Sequence, residues 1–271
     1  EVGWYMGWAI NLESTSSNNT VLRNTITDSE LGIWVSNGSN NNTFTNNVLD
    51  DNLIGVQIDT FSGGAAPTGL HFNNNSITNS SVEAVWNKTA VLADASGNWW
   101  GSEIESTITD KLVGPVDYTP WLNTGTEDPV TGGAAGFQGD FSYLHVSAAS
   151  PQTGSTGRIQ EAVDLIANGA LEDGNRIVDV KAGTYTEDVL IGKPLSLVGA
   201  NADTPYGSGR GAESILQPLS SGQSPIRLSG AGSSDDVTIN GFEITGTLSN
   251  YAIYCGGDGP SDLDIKFNYI H

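Results

Sequence analysis

Three six-residue segments, VLRNTI at 21–26, FTNNVL at 44–49 and FNNNSI at 72–77, decide the fold. Each has the form apolar-x-x-Asn-x-apolar, and a weaker version, ASGNWW, stands at 95–100. Their first residues are spaced by 23, 28 and 23 positions. That is the period of a solenoid in which one repeat is one coil. The longer step contains FSGGAAP, which suits a loop excursion. The Asn sits between two inward-facing positions, and stacked Asn side chains hydrogen-bond along the axis of such a coil.

A second strand follows each segment. Period-two alternation buries Ile33 with Val35 and Val56 with Ile58, leaving Trp34 and Gln57, joined by Trp86, on the outer face. Gly7-Trp8-Ala9-Ile10 resembles this strand in a preceding coil whose six-residue segment is missing. A segment of the right form, IKFNYI, occupies 265–270 at the other end of the chain. It is preceded 26 residues earlier by INGFEI at 239–244, where Phe242 replaces the Asn. Joining the end of the chain to its beginning would place Val21 27 residues after Ile265, within the period.

The halves therefore read in permuted order. Residues 1–122 have the character of the end of a parallel β-helix, closed by GNWWG at 97–101 and GPVDYTPWL at 114–122, whose aromatics and prolines can cap a last coil. Residues 123–140, rich in Gly and Thr, read as a linker. Residues 141–271 read as the beginning of a β-helix, with strands at 143–146, 177–180, 188–191, 195–198, 215–217 and 226–228. One amphipathic helix is expected over 158–171, with Ile159, Ala162, Val163, Ile166 and Ala170 on one face and Thr156 as its cap. The fold class is all-β, a right-handed parallel β-helix in two lobes with this one short helix.

Composition agrees. Thirty-four Gly, 37% hydrophobic and 15% charged residues suit short strands between tight turns. A formal charge of −21, from 31 acidic and 10 basic residues, argues against nucleic acid and anionic membrane surfaces as partners. No apolar run reaches membrane-spanning length, and no signal peptide is visible. The start at Glu1 without Met suggests a mature or excised segment. The single cysteine, Cys255, excludes an intrachain disulfide framework and alternates with Ile253 as an inward-facing small residue.

IQEAVDLIA at 159–167 with IVDVKAGTYTEDVLIGKPLSLVGAN at 177–201 resembles the opening of pectate-lyase-like right-handed parallel β-helices. NNTFTNNVLDDNLIGVQI at 41–58, NWWG at 98–101 and VDYTPWL at 116–122 are similar to the repeats and closing segment of surface β-helix proteins of that superfamily. The resemblance implies the fold and an extracellular or cell-surface setting. It does not imply an activity, because the scaffold carries lyases, hydrolases, esterases, epimerases and non-catalytic proteins. The catalytic motifs of the enzymatic members are not recognisable in this sequence, so no catalytic residue is assigned.

Three sets of candidate site residues follow. Asp28, Asp50, Asp51 and Asp59 could hold calcium, the one cofactor suggested, or act as a carboxylate pair, or simply serve turns; outward Trp34 could stack on a sugar, making carbohydrate a candidate partner. Sequons at Asn18, Asn37, Asn41, Asn74, Asn79 and Asn87 are candidate N-glycosylation sites. His71, His145 and His271 show no ligand spacing, and no metal site is built on them. The third set is a subunit joint: Gly7, Trp8, Ile10, Val21 and Ile26 at one end, Ile265, Phe267, Asn268 and Ile270 at the other. A monomeric circular permutant, a closed swapped dimer and an open head-to-tail polymer would each complete the shared coil; the leading expectation is an extracellular structural protein that assembles with copies of itself, head to tail. The alternative is a polysaccharide lyase, hydrolase or carbohydrate-binding β-helix.

Overall fold

The computed structural model describes residues 6–126, 136–169, 176–229, 236–246, 251–256 and 262–271. The chain divides into two compact units, residues 1–140 and 141–271. Both are built almost entirely from short parallel strands.

In the first unit three parallel sheets form the sides of a coil. Face A stacks Met6–Leu12, Ser29–Ser36, Ile54–Asp59, Glu83–Asn87 and Leu112–Val113. Face B stacks Thr20–Leu22, Thr43–Thr45, His71–Asn73, Ala93–Asp94 and Val116–Asp117. Face C stacks Thr25–Thr27, Val48–Asp50 and Ser76–Ile77, extended by a bridge from Ser76 to Trp99. Equivalent residues of the six-residue segments lie in register: Val21 beside Phe44 beside Phe72 on face B, and Ile26 beside Leu49 beside Ile77 on face C. Inside, Phe44 and Phe72 stack with ring centroids 4.3 Å apart. Such a column, with each member almost wholly buried, stabilises by roughly 3–5 kcal/mol per Phe against truncation to Ala.

The sequence pattern works because its third position is a corner. Arg23, Asn46, Asn74 and Gly97 all have left-handed backbone, with φ of 60°, 56°, 56° and 67°. Asn, Asp and Gly tolerate that conformation best, which explains their abundance. Two further columns of left-handed corners, Asn18-Asn41-Gly69 and Asp28-Asp51-Asn79, complete each three-sided turn.

The closing segment covers one end of the core. Trp100, Ile108, Tyr118 and Trp121 are buried in the same apolar cluster as the coil interior. Ile108 comes from α1 (Glu105–Thr109), a five-residue helix without a sequence signal, held partly by Tyr118 donating to Glu105 at 2.8 Å. The described part of 123–140, read from composition as a linker, packs onto this unit. Gly125–Thr126 pairs antiparallel with Gln138–Gly139, and the Phe137 ring is fully buried. Phe137 N–H donates to Asn46 O at 3.0 Å and Asn46 Nδ2 donates back to Phe137 O at 2.9 Å. Gly136 (φ +88°) permits the approach, since a Cβ there would lie 2.3 Å from Asn46 O.

In the second unit, Tyr143–Val146, Ile177–Val180, Leu195–Gly199, Val237–Asn240 and Leu263–Lys266 pair in parallel as face B′. Gly183–Thr186, Ser214–Gln217, Phe242–Ile244 and Tyr269–Ile270 form face C′; Val189–Ile191, Ile226–Leu228 and Ile253–Cys255 form face A′. The names mark a local equivalence. Segments 239–244 and 265–270 turn from B′ to C′ through left-handed Gly241 (φ 84°) and Phe267 (φ 51°), as the first-unit segments turn from B to C.

The amphipathic helix is shorter than its sequence pattern. α2 spans Arg158–Leu165 and buries Ile159, Ala162 and Val163. Ile166 is buried but already extended, and Ala170 lies outside the described residues. Thr156 does not cap α2. Gly157 is the N-cap, and the Glu187 carboxylate takes the N–H groups of Ile159 and Gln160 at 3.2 and 3.0 Å. At the other end Lys193 Nζ donates to the carbonyls of Asp164 and Ile166 at 3.0 and 2.8 Å. Both partners come from the following coil and match the helix dipole, acid at the N-terminus and base at the C-terminus.

Candidate functional site: two incomplete coils

The residues chosen from sequence as a joint fall on two open coil edges. In the first unit the outermost strands are Thr25–Thr27 on face C, Thr20–Leu22 on face B and, on face A, Met6–Leu12. Its Trp8, Ile10 and Leu12 lie in register with Leu31, Ile33 and Val35. Gly7 has open space around it, Trp8 is 55% exposed, and Ile10, Leu12 and Val21 are half-buried against the core cluster. Ile26 is already 6% exposed, because it points inward from the first whole coil.

The second unit shows the converse. Its outermost strands are Ile253–Cys255 on face A′, Leu263–Lys266 on face B′ and Tyr269–Ile270 on face C′. Ile265, Phe267 and Ile270 are 47, 40 and 46% exposed. Cys255, read as inward-facing, is exposed on this edge. The turn is held from behind by Arg210, which donates to Phe267 O at 2.6 Å and pairs with Glu213 at 2.7 Å. That ion pair raises the Arg210 pKa and lowers that of Glu213, each chiefly through the hydrogen bond between them.

The Asn column links the coils of the first unit. Asn24 Nδ2 donates to Asn47 Oδ1, Asn47 Nδ2 to Asn75 Oδ1 and Asn75 Nδ2 to Asn98 Oδ1, each at 3.0 Å. The backbone N–H of Asn24, Asn47 and Asn75 donates to the same acceptors at 2.9, 2.9 and 2.8 Å. Asn268 repeats the pattern in the second unit, accepting from Phe242 N–H at 2.9 Å and donating to Ile239 O at 2.8 Å. A parallel column joins Asn19 to Asn42.

The carboxylate and tryptophan set is placed differently from the sugar or calcium reading. Trp34 does lie off the core side of face A, yet it is only 3% exposed, covered edge-on by Trp8 at 4.6 Å and by Phe61 of the loop at 61–63 at 5.4 Å. Alternation predicts which face a side chain takes but not that a loop and a neighbouring strand will bury it. Gln57, also expected outside, is 7% exposed and donates to Asp59 at 2.8 Å; Asp59 also accepts Phe61 N–H. Asp50 accepts from Thr78 and Asn79 at 2.6 and 2.8 Å. Asp28 and Asp51 are exposed left-handed corners. Among the described residues no three His, Cys, Asp or Glu side chains converge as a metal-binding group.

The sequons divide by environment. Asn18 and Asn41 present exposed carboxamides at corners. Asn37 is half-buried, Asn74 accepts from Gly139 N–H, and Asn79 donates to Asp50. Asn87 is 2% exposed and donates both amide hydrogens, to Val91 O and Pro115 O at 2.8 Å. A glycan on Asn87 is incompatible with that geometry.

Three histidine–carboxylate pairs escaped sequence reasoning, one of them His271 Nε2 with Glu243 at 3.1 Å. His71 Nδ1 lies 2.8 Å from Asp94, and His145 Nδ1 lies 2.8 Å from Asp179, which also takes Lys181 at 2.6 Å. The signal for the first was present, since 71 and 94 differ by one coil period of 23 and sit in register. The third histidine, His271, stacks on Tyr269.

Residues 6–102 match the family model described as right handed beta helix region. No curated protein and no solved structure shows detectable similarity to the chain.

Proposed function

We propose that this parallel β-helix protein is an extracellular structural subunit that assembles end to end, one unit's open coil being completed by the opposite kind of open coil. The observation that supports it is that the outermost strands match face for face: Met6–Leu12, Thr20–Leu22 and Thr25–Thr27 on one unit, Ile253–Cys255, Leu263–Lys266 and Tyr269–Ile270 on the other. Docked together, Ile253–Cys255 flanks Met6–Leu12, Leu263–Lys266 flanks Thr20–Leu22 and Tyr269–Ile270 flanks Thr25–Thr27. Every strand edge gains a parallel partner, which removes the hazard that unpaired edges present. The corner geometry supports the fit, because Phe267 and Arg23 have the same left-handed backbone, with φ of 51° and 60°. The apolar exposure of Ile265, Ile270 and Trp8 then becomes coil interior or sheet face.

A contact of this kind is heterologous, so repetition yields a filament or sheath where the rotation does not close, and a closed swapped dimer or ring where it does. The same joint would form between tandem copies within a longer polypeptide. Size-exclusion chromatography with light scattering over a concentration series, followed by electron microscopy, tests the reading. Concentration-dependent growth into linear rods is expected. A 28.4 kDa monomer at every concentration would sink it.

A further inference from the structure

We infer that the partner at this interface is a second copy of the same chain in a single polarity, and that Asn24 and Asn268 are the residues that fix the polarity. The inference rests on the assembly reading above and adds to it a direction and two determinants.

The Asn column has a direction. Each carboxamide oxygen accepts from the Asn one coil earlier, and each Nδ2 reaches back to the carbonyl of the first segment residue of that earlier coil: Asn47 to Val21 O and Asn75 to Phe44 O, both at 2.9 Å. One end of the column therefore shows acceptors and the other shows donors.

Asn24 is the acceptor end. Its Nδ2 is used on Asn47 and on Leu22 O, whereas its Oδ1 receives no hydrogen bond among the described residues. Asn268 is the donor end. Its backward bonds to Phe242 and Ile239 are both made, whereas its backbone N–H and second amide hydrogen have no acceptor among the described residues. Placing one coil on the other lets Asn268 N–H and Nδ2 donate to Asn24 Oδ1, and lets Asn24 Nδ2 reach Ile265 O. All three interactions repeat ones made inside the first unit. Two Asn24 ends brought together oppose acceptor to acceptor, and two Asn268 ends oppose donor to donor. A buried polar group left unpaired costs about 1–3 kcal/mol, so like ends are disfavoured. The rotational register we infer pairs the outermost A′, B′ and C′ strands with the outermost A, B and C strands. Both complementary ends are carried by one chain, and that identifies the partner.

The test uses two full-length variants, Val21→Asp to block the start and Ile270→Asp to block the end, with Ile265→Asp as a second end block. Far-UV circular dichroism and melting confirm that each is folded. Each variant alone should be monomeric, and a 1:1 mixture should give a heterodimer of twice the chain mass. In that dimer Asn268→Ser on one partner or Asn24→Ser on the other should weaken binding about tenfold, and the two together should weaken it no further. Serine suits the position, because Ser29 occupies the equivalent place one coil before Asn52. No heterodimer from folded variants would overturn the assembly reading itself. A heterodimer with additive serine effects, or homodimers from either blocked variant, would overturn the polarity lock and leave assembly standing.

Discussion

Truncating the middle of the Asn column should be far more damaging than truncating its start. Asn75 is 1% exposed. Its Oδ1 accepts the backbone N–H and the Nδ2 of Asn47, and its Nδ2 donates to Phe44 O and Asn98 Oδ1, at 2.9, 3.0, 2.9 and 3.0 Å. Asn75→Ala leaves at least a buried N–H, a buried carbonyl and a buried amide oxygen short of a partner, and opens a small cavity. With each unsatisfied group costing about 1–3 kcal/mol and relaxation recovering part, the expected loss is about 3–5 kcal/mol. Asn24→Ala removes a largely solvated side chain and should cost no more than about 1 kcal/mol in the unassembled protein. Urea unfolding followed by far-UV circular dichroism gives both values, and hydrogen exchange locates the loss, because a solenoid can open coil by coil. A cost for Asn75→Ala below about 1 kcal/mol, or equal to that of Asn24→Ala, would refute the claim that the column holds the coils together.

Two pH limbs of opposite sign are expected in the second unit. Burial alone would raise the pKa of Asp179, but hydrogen bonds and charge from His145 and Lys181 outweigh it and the pKa is lowered. Its stabilising contribution is present above the ordinary value of 3.8 and is lost as pH falls through the lower folded value, so Asp179→Asn should flatten the acid side of a plot of Tm against pH. Burial raises the pKa of Glu187 despite the opposing N–H groups of Gln160 and Ile159. Its contribution is fullest below the ordinary 4.5 and declines as pH rises through the folded value, so Glu187→Gln should flatten that limb in the same measurement. Phe267 holds a left-handed backbone with an exposed ring, so Phe267→Gly should stabilise the unassembled chain by about 1 kcal/mol in urea unfolding, and a loss of stability would show that the ring packs within the unit.

The parts of the fold set by strict periodicity were legible in the sequence. Six residues with an Asn fourth between two apolar positions predicted the stacked columns and the strand order of the first unit, because a one-residue slip would expose every apolar member; the left-handed third position was not read from the pattern. Two outer strands were legible for the same reason: Gly7-Trp8-Ala9-Ile10 repeats the second strand of a coil, and IKFNYI repeats the six-residue segment. What could not be read depends on contacts between residues without periodic relation. Trp34 is covered by a loop, α2 takes its caps from Glu187 and Lys193 of the next coil, and Phe137 docks a Gly-rich stretch whose composition alone suggests a free linker. The extent of α2 was overread because Ile166 continues the apolar pattern after the backbone has left the helix.

Charge provides a further discrimination. Each copy carries a formal −21, so two copies repel over tens of ångströms at low ionic strength, while the edges that meet present Ile10, Val21, Ile265 and Ile270 rather than matched ion pairs. The Lys266–Asp264 pair near the joint is already satisfied within one copy. Screening should therefore remove the repulsion and leave the apolar and hydrogen-bonded terms intact, the Debye length falling from about 30 Å at 0.01 M salt to about 3 Å at 1 M. Light scattering across that range should show oligomers growing with salt. A joint built on inter-copy ion pairs would behave in the opposite way, and dissociation at high salt would require the apolar, Asn-locked interface to be abandoned in favour of a charged one elsewhere on the molecule.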